Sequence, residues 1–99
     1  MRLFLDDVRN PPSDERTIVR NVRQAIFVLS TIPNIDTISL DHDLGSNKST
    51  GYDVLLWIER EVVKNPDFMC PLILIHTANP VARKKMWAAV EKIYQITER

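Results

Sequence analysis

Short apolar runs alternate with amphipathic stretches along the chain, and this pattern predicts an α/β fold. Four runs predict strands: Leu3–Leu5, Thr17–Val19, Thr37–Leu40 and Leu72–Ile75. The last run is apolar at every position, which is typical of a parallel strand that is covered on both faces. A polar loop rich in proline and asparagine separates the first two runs.

Three amphipathic stretches predict helices. Asn21, Thr50 and Asn79 each precede apolar residues at helical spacing, and each is a residue type favoured at a helix N-cap. The second helix is expected to run to about Val63. Pro80 strengthens the third prediction, because proline is well tolerated at the first position of a helix.

The order of the predicted elements is strand, loop, strand, helix, strand, helix, strand and helix. This alternation implies parallel strands, and right-handed crossovers are expected to place helices on both faces of the sheet. We therefore predict one domain over residues 1–99 with a small three-layer α/β/α architecture. The ending, Tyr94–Thr97, fits either an extension of the last helix or a short edge strand.

Composition and charge narrow the functional classes. Thirteen basic and thirteen acidic residues cancel, so net charge gives no reason to expect general DNA binding or membrane binding. The single cysteine, Cys70, excludes an internal disulfide and fits a reducing compartment. Since no apolar run approaches membrane-spanning length, we expect a cytoplasmic protein.

Polar side chains follow three of the four predicted strands. The three clusters are Asp6, Asp7 and Arg9; Asp41, His42 and Asp43; and His76, Thr77 and Asn79. In open parallel sheets, ligands bind in the crevice beyond the carboxyl ends of the strands. We therefore expect these clusters, which are far apart in the chain, to meet at one edge of the sheet.

Four carboxylates at one edge need a counter-charge, because like charges at close range raise each other's pKa and destabilise the fold. A divalent cation supplies that charge, and oxygen ligands without a cysteine favour Mg²⁺ or Mn²⁺. Strand alternation predicts that Asp41 and Asp43 point to one side and His42 to the other.

A cation beside a helix N-terminus suits a ligand that contains phosphate. The helix that begins at Pro80 is expected to offer free N–H groups and a positive dipole end beside Thr77 and Asn79. Arg9 and Arg83 are suited to bidentate contacts with phosphate oxygens.

Both histidines of the chain, His42 and His76, lie in these clusters and have the intrinsic pKa for proton transfer near neutrality. Structural roles compete with these interpretations. They are a core position for His76, capping alone for Asn79, a solvated helix face for residues 83–85, and packing for Trp57 and Trp87.

Three short motifs carry a resemblance to a known fold: Leu5-Asp6-Asp7, Leu40-Asp41 and Thr77-Ala78. Together they resemble the receiver domain of two-component response regulators, in which the acidic pair binds Mg²⁺ and a strand-end aspartate accepts a phosphoryl group. Asp41 matches that aspartate by position, and Asp43 matches it by its spacing to the glycine of the next helix. The lysine that completes phosphorelay switching has no counterpart, which argues against a switch.

Four longer blocks resemble a compact relative, the cyclic-phosphate processing receiver-like family. They are LDDVRNPP at residues 5–12, SLDHDLG at 39–45, TGYDV at 50–54 and HTANP at 76–80. The resemblance implies a shortened receiver-like, flavodoxin-like fold. It also implies action on cyclic phosphates, such as the 2′,3′-cyclic phosphate ends of RNA or nucleotides.

We therefore predict a metal-dependent phosphoesterase that acts on a small phosphate-containing ligand or an RNA end. The predicted ligands of Mg²⁺ or Mn²⁺ are Asp6, Asp7 and Asp43, and the predicted catalytic residues are Asp41, His42 and His76. The predicted phosphate-binding residues are Arg9, Thr77, Asn79 and Arg83. The acid and base roles of the histidines stay open. The alternative is a receiver-like module that binds a phosphate, a nucleotide or a protein partner without catalysis.

Overall fold

The computed structural model describes residues 1–12, 16–45 and 49–97. The strands are β1 (Arg2–Leu5), β2 (Arg16–Val19), β3 (Thr37–Leu40) and β4 (Leu72–Ile75), and the helices are α1 (Val22–Thr31), α2 (Gly51–Lys64) and α3 (Pro80–Thr97). Every predicted element is present in the predicted order. The ambiguous ending continues α3 through Thr97 and forms no strand.

The four strands among the described residues form one parallel sheet in the order β2-β1-β3-β4. This arrangement confirms the prediction of a shortened receiver-like α/β fold. The last residues of three strands lie side by side, because Leu5 pairs with Leu40 and Leu40 pairs with Ile75. The residues that directly follow these strands therefore begin at one common level.

The described helices all pack on one face of the sheet, so the structure has two layers where the sequence predicted three. Leu3, Leu5, Ile38 and Leu40 share one core cluster with apolar residues of every helix, and α2 contacts both α1 and α3. The reason lies in the strand order. Both crossovers that contain a helix run in the same direction across the sheet, and right-handed crossovers in one direction leave their helices on one face.

The opposite face carries Phe4 of β1 and Ser39 of β3, which alternate with the core residues along their strands. Both side chains are buried, although neither belongs to the core cluster under the helices. This second face leads directly to the polar residues at the carboxyl ends of the strands.

Local signals explain where each helix begins. The side-chain oxygen of Asn21 accepts a hydrogen bond from the N–H of Gln24 at 2.9 Å. At the start of α2, the N–H of Thr50 donates to the carboxylate of Asp53 at 2.8 Å. Asn79 caps α3 through its side chain. All three predicted N-caps are confirmed.

The outer edge of β4 is tied to α3. The N–H of Ile73 points away from β3 and donates to the hydroxyl of Tyr94 at 2.8 Å. This bond satisfies an edge donor that would otherwise face solvent, and it holds the side of α3 that carries Tyr94 against the edge of the sheet. Among the described helices, none is both long and apolar enough to cross a membrane.

Gly51 allows the first turn of α2 to approach the end of β3. A Cβ atom at this position would overlap the carbonyl oxygen of Asp41, while the N–H of Gly51 donates to the carbonyl of His42 at 3.1 Å. Only a residue without a side chain permits this contact, so Gly51 positions the segment that carries Asp41.

We expect Gly51→Ala to destabilise the fold by about 3 kcal/mol, because backbone must move to relieve the overlap. For a domain of this size, the melting temperature should fall by more than about 10 °C. Thermal unfolding followed by circular dichroism measures this change. Val81→Ala, at an exposed site in the first turn of α3, is the control and should change stability by less than about 0.5 kcal/mol.

Candidate functional site

Asp6, Asp41 and His76 meet beyond the carboxyl ends of β1, β3 and β4. Each directly follows the last residue of its strand, and one ligand atom from each lies within 4.8 Å of the others. The exposed fraction is 0% for Asp6 and 5% for Asp41, and His76 is half-buried. The structure therefore brings together one residue from each of the three predicted clusters, which we call the rim cluster.

His76 is held in place by three contacts. Its ring stacks on Phe4 with centroids 4.3 Å apart and planes inclined by 4°. Its Nδ1 lies 2.7 Å from the hydroxyl of Ser39, and its Nε2 lies 3.2 Å from Oδ2 of Asp6. Phe4 and Ser39 are functional neighbours that the sequence prediction missed. A serine between two apolar residues, Ile38 and Leu40, was the signal that could have revealed Ser39, whereas Phe4 carried none.

Burial lowers the pKa of His76, and this effect outweighs the opposite influence of Asp6 and Asp41. The imidazole is therefore mainly neutral at pH 7. Because the carboxylate of Asp6 can only accept, Nε2–H of His76 donates to it and Nδ1 accepts from the hydroxyl of Ser39.

Asp6 is a buried but charged carboxylate. Burial raises its pKa, but the backbone N–H groups of Arg9 and Val8, the ring of His76 and the guanidinium of Arg9 together lower it. The two N–H groups donate to Oδ1 at 2.8 and 3.0 Å, and Nε of Arg9 lies 3.2 Å from Oδ2. These contacts stabilise the negative charge inside the site.

Asp41 is in the opposite situation. Burial raises its pKa and the neighbouring charge of Asp6 raises it further, although the N–H of His42 lowers it by donating to Oδ1 at 2.8 Å. Nη2 of Arg9 lies 3.8 Å from Oδ2 of Asp41. Arg9 thus bridges the two carboxylates, and with 56% of its side chain exposed it also faces solvent.

Asp7 and Asp43, two of the predicted metal ligands, lie outside the rim cluster. Asp7 is half-buried against Gly45, where a Cβ atom would lie 2.8 Å from Oδ2 of Asp7 and where φ is +67°. Asp43 is exposed. Their roles as ligands stay predictions, while the geometry favours Asp6, Asp41 and His76.

His42 and Asp43 form a pair beside the rim cluster. Nδ1 of the imidazole lies 2.8 Å from Oδ1 of Asp43. The Nε2 atom of His42 makes no hydrogen bond to any residue that the structure describes. An imidazole oriented by a carboxylate through one nitrogen, with its other nitrogen available, is the arrangement that proton transfer requires.

The N-terminus of α3 does not offer the free N–H groups that the sequence predicted. The N–H groups of Val81 and Ala82 donate to the side chain of Asn79, each at 3.1 Å, and the N–H of Asn79 donates to the hydroxyl of Thr77 at 3.2 Å. The guanidinium of Arg83 donates to the carbonyl of Thr77 at 2.6 Å. Capping uses these donors. Among the described residues, Arg9 is the cation that forms ion pairs with the two buried carboxylates.

A sequence model of one family, the cyclic-phosphate processing receiver domain, matches residues 1–92 of the chain. The match covers all four strands and every predicted site residue. Searches of curated proteins and of solved structures gave no significant match.

The opposite pKa shifts of Asp6 and Asp41 predict opposite effects of two isosteric substitutions on stability in buffer with EDTA. Asp6→Asn should lower the melting temperature at pH 7, because it removes a carboxylate whose charged form the fold stabilises. A group whose pKa is lowered in the folded state stabilises the fold at pH values above its unfolded pKa of about 3.9. Asp41→Asn should raise the melting temperature at pH 7. The pKa of Asp41 is raised in the folded state, so this carboxyl group stabilises the fold only at low pH, and the stabilisation is lost as the pH rises.

Both differences from wild type should shrink as the pH falls towards about 3.5, where the carboxyl groups of the unfolded chain are largely protonated. Thermal unfolding from about pH 3.5, near the pKa of an ordinary aspartate, up to about pH 8 measures them. Asp43→Asn, at an exposed position, is the control. Changes of the same sign for both variants at pH 7 would contradict this picture of the site.

Proposed function

This chain belongs to the family of cyclic-phosphate processing receiver domains, and from that premise we propose that it is a metal-dependent phosphoesterase that opens cyclic phosphates. The observation that supports the proposal most is the rim cluster, in which two buried carboxylates and an imidazole converge beside an exposed guanidinium. These are the groups that a phosphate and its counter-ion require.

The rim cluster fits a divalent cation by its chemistry. One carboxylate oxygen from each of Asp6 and Asp41 and a ring nitrogen of His76 would hold it, and Nε2 is the nitrogen that faces Asp6. For Nε2 to bind a metal, the ring proton must move to Nδ1, where Ser39 is in place to accept its hydrogen bond. A nitrogen in the ligand set favours Mn²⁺ over Mg²⁺, since Mg²⁺ prefers oxygen ligands alone.

When bound, the cation would supply Lewis-acid polarisation of a phosphoryl oxygen and offset the negative charge of the reacting phosphate. Arg9 would contribute a second positive charge. Its guanidinium has five N–H donors in a planar fork, and those not used by Asp6 and Asp41 can hold phosphate oxygens at the solvent side of the site.

His42 is the better candidate for proton transfer, because both ring nitrogens of His76 are engaged. Asp43 keeps the proton of His42 on Nδ1, so Nε2 can accept one. In the proposed reaction, the oxygen of a water molecule attacks phosphorus and the bond from phosphorus to one ring oxygen breaks. Nε2 takes the proton from the attacking water, and the leaving oxygen takes a proton from a second, solvent water molecule to become a hydroxyl. The hydroxide left by that second water recovers the proton from Nε2. The product is a phosphate monoester.

A module that binds the phosphate without turnover uses the same residues and is the alternative function. The metal and activity measurements below separate the two, because binding changes stability whether or not a bond is broken.

Mn²⁺ is expected to raise the melting temperature of the wild-type protein, because a ligand that binds only the folded state stabilises it. Asp41→Asn should abolish most of this increase and Asp43→Asn should retain it, since only the first belongs to the rim cluster. Differential scanning fluorimetry over a Mn²⁺ titration, with Mg²⁺ in parallel, measures the effect. The reverse pattern would support the ligand set predicted from sequence, which contains Asp43.

With Mn²⁺ present, the wild-type protein is expected to convert a 2′,3′-cyclic mononucleotide to a monophosphate, detected by chromatography. His42→Ala should reduce kcat by about 100-fold or more if it transfers the proton, while the increase in melting temperature with Mn²⁺ remains. Phe27→Ala, an exposed change on α1, controls for handling of the variants. Stabilisation by the nucleotide without product would establish the binding module instead.

A further inference from the structure

The two tryptophans occupy different environments. Trp57 is half-buried, packs against the core and meets Phe68 edge-on with ring centroids 5.7 Å apart. Trp87 has 40% of its surface exposed and lies outside the core cluster. The prediction that both are packing residues is therefore confirmed for Trp57 only, and Trp87 needs another explanation.

Trp87 lines a surface groove of about 550 Å³ along α3, which we call the α3 groove. Ala78 and Pro80 form one end of it, Arg83 and Lys84 follow, and Glu91 lies beyond Trp87. Residues four apart on a helix are neighbours on its surface, so Trp87 lies one turn beyond Arg83.

The α3 groove begins beside the rim cluster. Ala78, at one end of the groove, follows His76 by only two residues. Thr77 lies between His76 and Ala78 in the chain, and its carbonyl accepts a hydrogen bond from Arg83. The hydrogen bond from the N–H of Ile73 to the hydroxyl of Tyr94 holds α3 against β4. His76 directly follows the last residue of that strand. The α3 groove therefore begins two residues after His76, at the end of β4 where the rim cluster lies.

The first part of the α3 groove carries a local positive charge, and its one acidic lining residue, Glu91, lies beyond Trp87. Residues 83–85 are three consecutive cations, and no acidic residue occurs between Ala78 and Val90. The ammonium of Lys85 lies 4.0 Å from the ring centroid of Tyr52 on α2, which leaves Arg83 and Lys84 on the groove. Although the net charge of the whole chain is zero, residues 83–85 form a basic segment next to the exposed indole of Trp87.

We propose that the α3 groove binds the single-stranded RNA that leads to a terminal cyclic phosphate. A base stacks on Trp87, and the backbone phosphates lie beside Arg83 and Lys84. Aromatic side chains together with a positively charged groove are the general means of holding single-stranded nucleic acid. The proposal rests on the proposed function and makes its substrate an RNA end, rather than a free mononucleotide.

A protein strand added to the edge of β4 is a weaker match to this surface. Such a strand would need the outward N–H of Ile73, and the hydroxyl of Tyr94 already accepts from that group. Charge is the second reason, because Arg83 and Lys84 complement phosphates directly.

The test compares kcat/KM for a 2′,3′-cyclic mononucleotide with that for a short unstructured RNA that ends in the same cyclic phosphate. The wild type should prefer the RNA. Trp87→Ala should reduce the ratio of the two constants by about tenfold, the effect expected for loss of one stacked base, and Trp87→Phe should restore most of it. Phe27→Ala is the control, because it removes an exposed aromatic side chain on a different helix, α1. It should leave the ratio unchanged.

A binding measurement keeps this proposal separate from the proposed reaction. Fluorescence anisotropy with a labelled RNA that ends in a 3′-phosphate needs no turnover. Trp87→Ala should weaken this binding about tenfold, and Lys84→Gln should reduce the slope of log Kd against log salt by about 0.7. RNA binding that is unaffected by Trp87→Ala would overturn the proposal even if the protein is an active phosphoesterase. If the wild-type protein shows no turnover but Trp87→Ala and Lys84→Gln change RNA binding as expected, only the proposed reaction is overturned.

Discussion

The pairing register of three parallel strands is the constraint on which the rest of the site depends. Leu5, Leu40 and Ile75 lie side by side, so the next residue of each strand emerges at the same level, and these residues are Asp6, Asp41 and His76. A shift of one residue in any strand would turn its polar residue to the other face. The hydrophobic core fixes this register, because Leu3, Leu5, Ile38 and Leu40 must all face the helices.

The same register creates an electrostatic problem that the site resolves unevenly. Asp6 accepts two backbone N–H groups and keeps its charge, whereas Asp41 is buried beside that charge with fewer compensating contacts. Arg9 bridges the two carboxylates. Such unbalanced carboxyl groups are typical of functional sites, and their excess negative charge is the reason that we propose a bound cation.

Placing the described helices on one face leaves the stacked pair of Phe4 and His76 on the other, over Ser39. The polar end of that face is therefore built from β1, β3 and β4. Because β4 is an edge strand, α3 runs along the boundary of the sheet and presents Trp87 and Arg83 beside it. The architecture thus places the basic start of α3 directly after β4, whose end carries the His76 of the buried cluster.

The strands, the helix starts and the meeting of three polar clusters were predictable from sequence, because they follow from apolar spacing, from caps such as Asn21 and Asn79, and from the rule that parallel strands end at one edge. Which carboxylates share the cluster was not predictable. Asp7 and Asp43 are the same residue type as Asp6 and Asp41, and only side-chain direction beyond the strand ends separates them. Only the tertiary structure shows that the side chain of Asn79 accepts the N–H groups of Val81 and Ala82 at the start of α3. It also shows that Trp87 stays exposed. Signals between neighbours in the chain define elements, whereas a site depends on distances between residues that only the packed sheet brings together.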